Sequence, residues 1–120
     1  MGLTLVTTKI SNLNHEKGFF EAEFLVDTGA TTSMAPSNKL EAIGIAEQGR
    51  MVYELADGTM KEYAFGLAKI EFMGEITAGR IIFGPDDCEP VLGITALESV
   101  GIMVDPVNKT LKRLPAIPLK

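Results

Sequence analysis

Residues 24–34 read FLVDTGATTSM. Phe24, Leu25 and Val26 lead straight into Asp27, and small or hydroxyl-bearing residues follow it. A carboxylate at the end of a hydrophobic strand sits where losing its hydration is most expensive, so its placement needs a cause. Gly29 has no Cβ and lets backbone crowd around the carboxylate, and Thr28 brings a hydroxyl able to bond a facing main chain. Taken alone, Asp-Thr-Gly fits two readings. It can be an ordinary Asx-turn or helix cap, or a strand end that presents its carboxylate to a cleft.

Working outward, Leu3 to Ser11 is a β-rich run, Asn12 to Gly18 a polar turn, and Phe19 to Val26 a strand. In that strand Phe20, Ala22 and Phe24 alternate with Glu21 and Glu23. Pro36, Ser37 and the NKLEAIG that follows predict a short helix stopped by Gly44. Two β-prone arms within residues 50–72 join at Asp57-Gly58, a dipeptide that takes the positive φ angles of a tight hairpin turn. Residues 69–84, KIEFMGEITAGRIIFG, add two more strands bent at Gly74, and GPDDCEP reads as a loop. After the apolar triplet Val91-Leu92-Gly93, Thr95 and Glu98 stand at capping-box spacing and Gly101 stands where a helix would end. Ile102 to Val104 and Thr110 to Leu114 complete a mostly β chain. No linker, internal repeat or charge block interrupts residues 1–120, so one domain is expected.

The bulk numbers narrow the function classes. A chain of 120 residues buries roughly two thirds of its unfolded surface, enough for one core. Net charge is -5, with 11 scattered Lys and Arg against 16 Asp and Glu, which argues against nucleic acid as a partner. No segment approaches the roughly 18 apolar residues of a membrane helix, so no membrane association is expected. Cys88 is the one cysteine, which suits a reducing compartment and a cytoplasmic location. Asp86, Asp87 and Glu89 beside it disfavour a thiolate and hence a nucleophilic role. His15, the one histidine, lies in a polar turn and cannot make a Cys/His metal site. No metal or cofactor is expected.

With these features in place, the chain resembles the retropepsin-like aspartic proteases, the single-domain, retroviral-type relatives of pepsin. The likeness spans nearly all of residues 1–120. Asp27-Thr28-Gly29-Ala30 is similar to the catalytic signature, the hairpin at Ala56, Asp57, Gly58 and Thr59 falls where the family has its flap, and Leu92-Gly93 before a short helix is similar to the family's second half. The resemblance implies a closed β-barrel with a flap hairpin and a short C-terminal helix, Asp27 as catalytic residue, and Thr28, Gly29 and Ala30 as support for its loop. It also implies that Thr28 bonds across a dimer, that the flap closes over an extended peptide, and that pockets select side chains, with Val26, Val52, Met60 and Leu92 as lining candidates, although core packing is the first expectation for any one of these four.

Peptide hydrolysis without metal, serine or cysteine needs one group to activate water and another to protonate the carbonyl oxygen. Two carboxyls sharing a proton do both. No second Asp-Ser/Thr-Gly occurs in the chain, so a homodimer with one Asp27 per subunit is expected. Three positions depart from the family pattern. Ile94-Thr95 follows Gly93 where retroviral members usually carry Arg-Asp or Arg-Asn, the predicted flap tip holds one glycine, and Ala30 replaces the serine common in pepsin-like relatives. The alternative reading is a non-catalytic dimeric module that binds peptide or protein on the same fold. Glycosidase chemistry, which also pairs carboxylates, typically needs a larger sugar cleft.

Overall fold

The computed structural model describes residues 4–14 and 16–119, so Leu3 and His15 lie outside the described residues. The chain runs β1 (Leu5–Ser11), β2 (Phe19–Asp27), β3 (Ser33–Pro36), α1 (Ser37–Ala42), β4 (Gly49–Glu54) and β5 (Met60–Phe72). It continues through β6 (Glu75–Gly84), β7 (Val91–Gly93), α2 (Ile94–Ser99), β8 (Ile102–Asp105) and β9 (Thr110–Arg113).

Seven strands form one sheet in the order β1-β2-β7-β3-β6-β5-β4, and a further pairing of β1 with β5 closes the first six into a barrel. Closure removes the sheet edges that would otherwise expose unpaired amides and carbonyls. The β2–β7 and β3–β6 pairs are parallel, and the rest are antiparallel. The expected mostly β, closed-barrel fold is therefore present, with short helices inserted after β3 and β7.

Alternation in β2 works as the sequence implies: Phe24 is fully buried, Phe20 and Ala22 are half-buried, and Glu21 and Glu23 are exposed. Phe24 joins Ile10, Ile70, Ile81 and Leu92 in the core, together with Leu40 of α1 and Leu97 of α2. The helices thus bury their few apolar residues against the barrel, which is what stabilises helices of only six residues.

β5 corrects the sequence reading. Residues 60–72 form one strand of 13 residues rather than two, and its halves have different partners. Lys69–Phe72 lies between β1 and β6 inside the barrel wall, whereas Met60–Ala64 pairs with β4 and has no β6 partner. The β4–β5 hairpin consequently extends past the barrel.

The turns also differ from expectation. Gly58 alone has positive φ at the β4–β5 tip, where Gly58 N–H donates to Leu55 O (2.9 Å) and Leu55 N–H to Thr59 O (2.8 Å). That is a three-residue loop ending in a left-handed glycine, not a two-residue turn with both φ angles positive. The two-residue form occurs instead at Met73-Gly74, with φ of 53° and 77°. There Arg113 of β9 pairs with Glu75 and donates to the Met73 carbonyl, tying the β8–β9 hairpin to the barrel. Gly44 and Gly101 end their helices with positive φ, as the sequence implies.

The core assignment is directly testable. Phe24→Ala should lower the unfolding free energy by about 3–5 kcal/mol, whereas Ile76→Ala, at a side chain left 60% exposed, should change it by less than about 0.5 kcal/mol. Urea unfolding of both variants checks the contrast.

Candidate active site

Asp27 is the last residue of β2, and its partner in the parallel register is Gly93 at the end of β7. Beyond it the chain turns at once: Ala30 N–H donates to Asp27 O (3.1 Å) and Gly29 N–H to Asp27 Oδ1 (2.9 Å). A Cβ at Gly29 would stand 3.2 Å from Oδ1, so the glycine admits the carboxylate at close quarters.

The second half of the chain clamps this loop. Ile94 N–H donates to Ala30 O (2.7 Å), Thr95 N–H to Thr31 O (3.2 Å), and Gly93 N–H to the buried Ser33 Oγ (3.0 Å). The first two are amides that a helix start leaves without intrahelical partners, so the loop carbonyls cap α2. The capping box expected at Thr95 and Glu98 is not formed: α2 begins at Ile94 after Gly93, with no side-chain cap. Gly93 needs no unusual φ; it needs the absence of a Cβ, which would lie 2.7 Å from Thr32 C and 2.9 Å from Thr31 O.

Above the loop lies a cavity of about 700 Å³. Asp27, Gly29, Ala30, Thr31 and Thr32 line one side, and Val52, Tyr53, Glu54, Leu55, Ala56 and Tyr63 of the β4–β5 hairpin line another. Met34, Ile82 and Val91 complete it. Asp27 and Thr28 are exposed in the single chain. Among the described residues the Thr28 hydroxyl makes no hydrogen bond within the chain.

Of the expected site residues, Asp27, Gly29, Ala30 and Ala56 are brought to this cavity, while Thr28, Asp57, Gly58 and Thr59 stand outside its lining. Val52 lines it as expected. Val26 and Leu92 pack with the core, the first expectation for them, Leu92 with no exposure, and Met60 points to solvent at 64% exposure. Tyr53 and Glu54 escaped the sequence reading, since the hairpin's register against the loop decides which of its side chains face Asp27. Tyr53 carries the clearer signal after the fact: its hydroxyl is enclosed and has no partner among the described residues.

The Asx geometry at Asp27 is not distinctive in itself. Asn12, Asp57 and Asp105 accept from amides two residues on in the same way. Hydrogen bonds from the Thr59 side chain and backbone lower the Asp57 pKa, and the Asn108 and Val107 amides lower that of Asp105. Of these four, Asp27 lines the cavity of about 700 Å³ and the other three do not. Burial, and then the charge of Asp87, push the Cys88 thiol up from its ordinary range, which agrees with an unreactive thiol. Among the described residues no group of three or more His, Cys, Asp or Glu is placed to hold a metal ion, and no helix is long and apolar enough to cross a membrane.

Comparison with known proteins now places the chain. Residues 13–95 match the family model for aspartyl proteases, and the chain belongs to that family. The fold is similar to the solution structure of the simian foamy virus (mac) protease, with a TM-score of 0.51 and 17% identity over 75% of this chain and 87% of that one. No curated protein matches the sequence.

The close approach at Gly93 yields a prediction. Gly93→Ala forces a methyl into backbone that cannot swing aside, so stability should fall by about 1–3 kcal/mol. Thermal unfolding of the variant measures it, and an unchanged midpoint would show that the loop and β7 are not tightly joined.

Proposed function

We propose that the protein is a homodimeric aspartic endopeptidase in which Asp27 of each subunit contributes one carboxyl to a shared pair. The observation that carries this reading is the placement of Asp27. Its strand, its glycine and the clamp from α2 hold an exposed carboxylate at the floor of a cavity roofed by a projecting hairpin.

A single carboxyl cannot act as base and acid at once. Two brought together by a two-fold axis cannot both ionise, so they keep one proton between them, the general behaviour of aspartic-protease pairs. The ionised member takes a proton from water as the water oxygen bonds to the scissile carbonyl carbon, and the protonated member gives its proton to the carbonyl oxygen. The resulting gem-diol collapses as the C–N bond breaks, with a proton passing to the leaving nitrogen. In this reading Thr28, whose hydroxyl has no hydrogen-bond partner among the described residues, joins the two loops across the axis. The β4–β5 hairpin acts as the flap, excluding water and holding an extended peptide. A cytoplasmic location fits the single cysteine and belongs to the same proposal.

One observation favours the second reading, a non-catalytic peptide-binding dimer. Ile94, standing where retroviral members usually carry arginine, packs against the apolar core, so a charged brace is not available there to fix the subunits.

Incubation of the protein and Asp27→Asn with a mixed peptide library separates the two. Asparagine keeps the Oδ1 acceptor for Gly29 but loses the proton chemistry, so cleavage should fall by about 10²- to 10⁴-fold. A folded dimer without cleavage in either form supports the binding module. Because each site needs two chains, specific activity should also fall on dilution; activity independent of concentration would contradict the shared site. Finally, Ala30→Ser adds a donor beside the carboxylate, which favours its ionised form. The acidic limb of the pH–rate profile should then move to lower pH, and an unmoved limb would remove that role for residue 30.

A further inference from the structure

A second cavity, of about 310 Å³, lies on the other side of the Thr31–Thr32 loop, and both threonines line both spaces. No carboxylate lines this second cavity. Its hydroxyl-bearing residues are Thr31, Thr32, Ser33, Thr77, Thr95 and Ser99, and its one charge is Arg80 of β6. Its size is at the low end for small-ligand sites, so it suits one side chain rather than a folded partner.

The state of Arg80 is what gives the cavity a chemistry. The chain has three arginines. Arg50 pairs with Glu62 and Arg113 with Glu75, but Arg80 forms no ion pair among the described residues. Its guanidinium lies 3.9 Å from the Phe65 ring centroid, and Nη1 stands 3.6 Å from Met51 Sδ. Stacking on an aromatic face fixes the planar group while leaving its N–H edge able to donate, and a fixed guanidinium loses less entropy on binding a carboxylate. Arg80 is exposed and, in a protein of net charge -5, has no ion pair among the described residues, so its N–H edge is open to an anion.

From this geometry we infer that Arg80 and the hydroxyls around it form a subsite for an acidic side chain of an extended peptide substrate. The inference rests on the protease reading for its substrate class. A peptide lying over Asp27 and continuing past Thr31–Thr32 meets the second cavity next, and alternate side chains of an extended chain point to the same side. A glutamate directed there gains charge-assisted hydrogen bonds from the guanidinium, whereas a lysine meets like charge.

Peptides sharing one cleavable core and differing at a single flanking position, with Glu, Gln or Lys placed at each position in turn, test this. The quantity read is the ratio of kcat/KM for Glu over Gln within each protein, which cancels any change in overall activity. At one position the unaltered protein should prefer Glu by about 3- to 10-fold. Arg80→Gln should bring that ratio to about one, and Arg80→Glu should invert the preference towards Lys. The same peptides are titrated against the Asp27→Asn protein by fluorescence anisotropy, with and without Arg80→Gln. Absence of an acidic preference at every position, or a preference that survives both Arg80 substitutions, overturns the subsite while leaving the protease reading intact. If nothing is cleaved but an Arg80-dependent preference for Glu persists in binding, the protease reading fails and the subsite stands. Equal binding of Glu and Gln peptides with no cleavage overturns the subsite as well.

Discussion

The backbone of Gly93 lies so close to Ala30, Thr31 and Thr32 that no side chain fits between them, and the rest of the site depends on that approach. It lets β7 run beside the end of β2, and it lets the first two amides of α2 reach the carbonyls of the loop after Asp27. Each side then satisfies the other's unpaired backbone: the helix gains a cap without a capping side chain, and an irregular loop gains acceptors' partners that solvent would otherwise supply. A loop held this way does not need to be stiff by its own composition. Residues as small as Gly29 and Ala30 can therefore leave space around the carboxylate without leaving it mobile.

The same economy governs the space above the loop. β5 is long enough to serve in the barrel wall with one half and to carry the hairpin with the other. Its inner half is held on both sides, by β1 and β6, while the outer half has only β4 for a partner. Order in the hairpin is thus inherited from the barrel, and exposure of Val52, Leu55 and Met60 on it is the consequence of leaving one side unpaired. Arg80 sits one strand further, where β6 passes behind the loop, so both cavities are bounded by elements that the barrel already fixes.

What the sequence disclosed follows a physical division. Features set by a residue's own backbone or by strict alternation were legible: the inward Phe24, the helix stops at Gly44 and Gly101, the bend at Gly74, and the strand that ends at Asp27. Features set by a distant partner were not. The capping-box spacing at Thr95 and Glu98 was present but idle, because the Thr95 amide had a better-placed acceptor in Thr31. Asp57-Gly58 has the composition of a two-residue turn, yet Leu55 and Thr59 close a longer one, and the tight turn fell to Met73-Gly74, where Arg113 holds the Met73 carbonyl. Of Val26, Val52, Met60 and Leu92, each expected first in the core and only second at a pocket, Val26 and Leu92 are core while Val52 lines the cavity. Which side chains line a cavity is a question of register between elements, and spacing along one element does not answer it.

Asp27 shows how little a local motif means without that wider frame. Its carboxylate accepts an amide two residues on, as do those of Asp57 and Asp105. In the latter two every bond serves a turn: Asp57 adds one from the Thr59 side chain, Asp105 adds the Asn108 amide and side chain, and together they hold the carboxylate in its charged form. At Asp27 the bond occupies Oδ1 and orients the group, while β2 and the clamp from α2 decide where it points. The turn reading and the cleft reading of Asp-Thr-Gly are therefore not rivals. The turn is the local device by which the strand end holds its carboxylate still, and the cavity, closed over it by residues from Val52 to Val91, is what gives that stillness a chemical use.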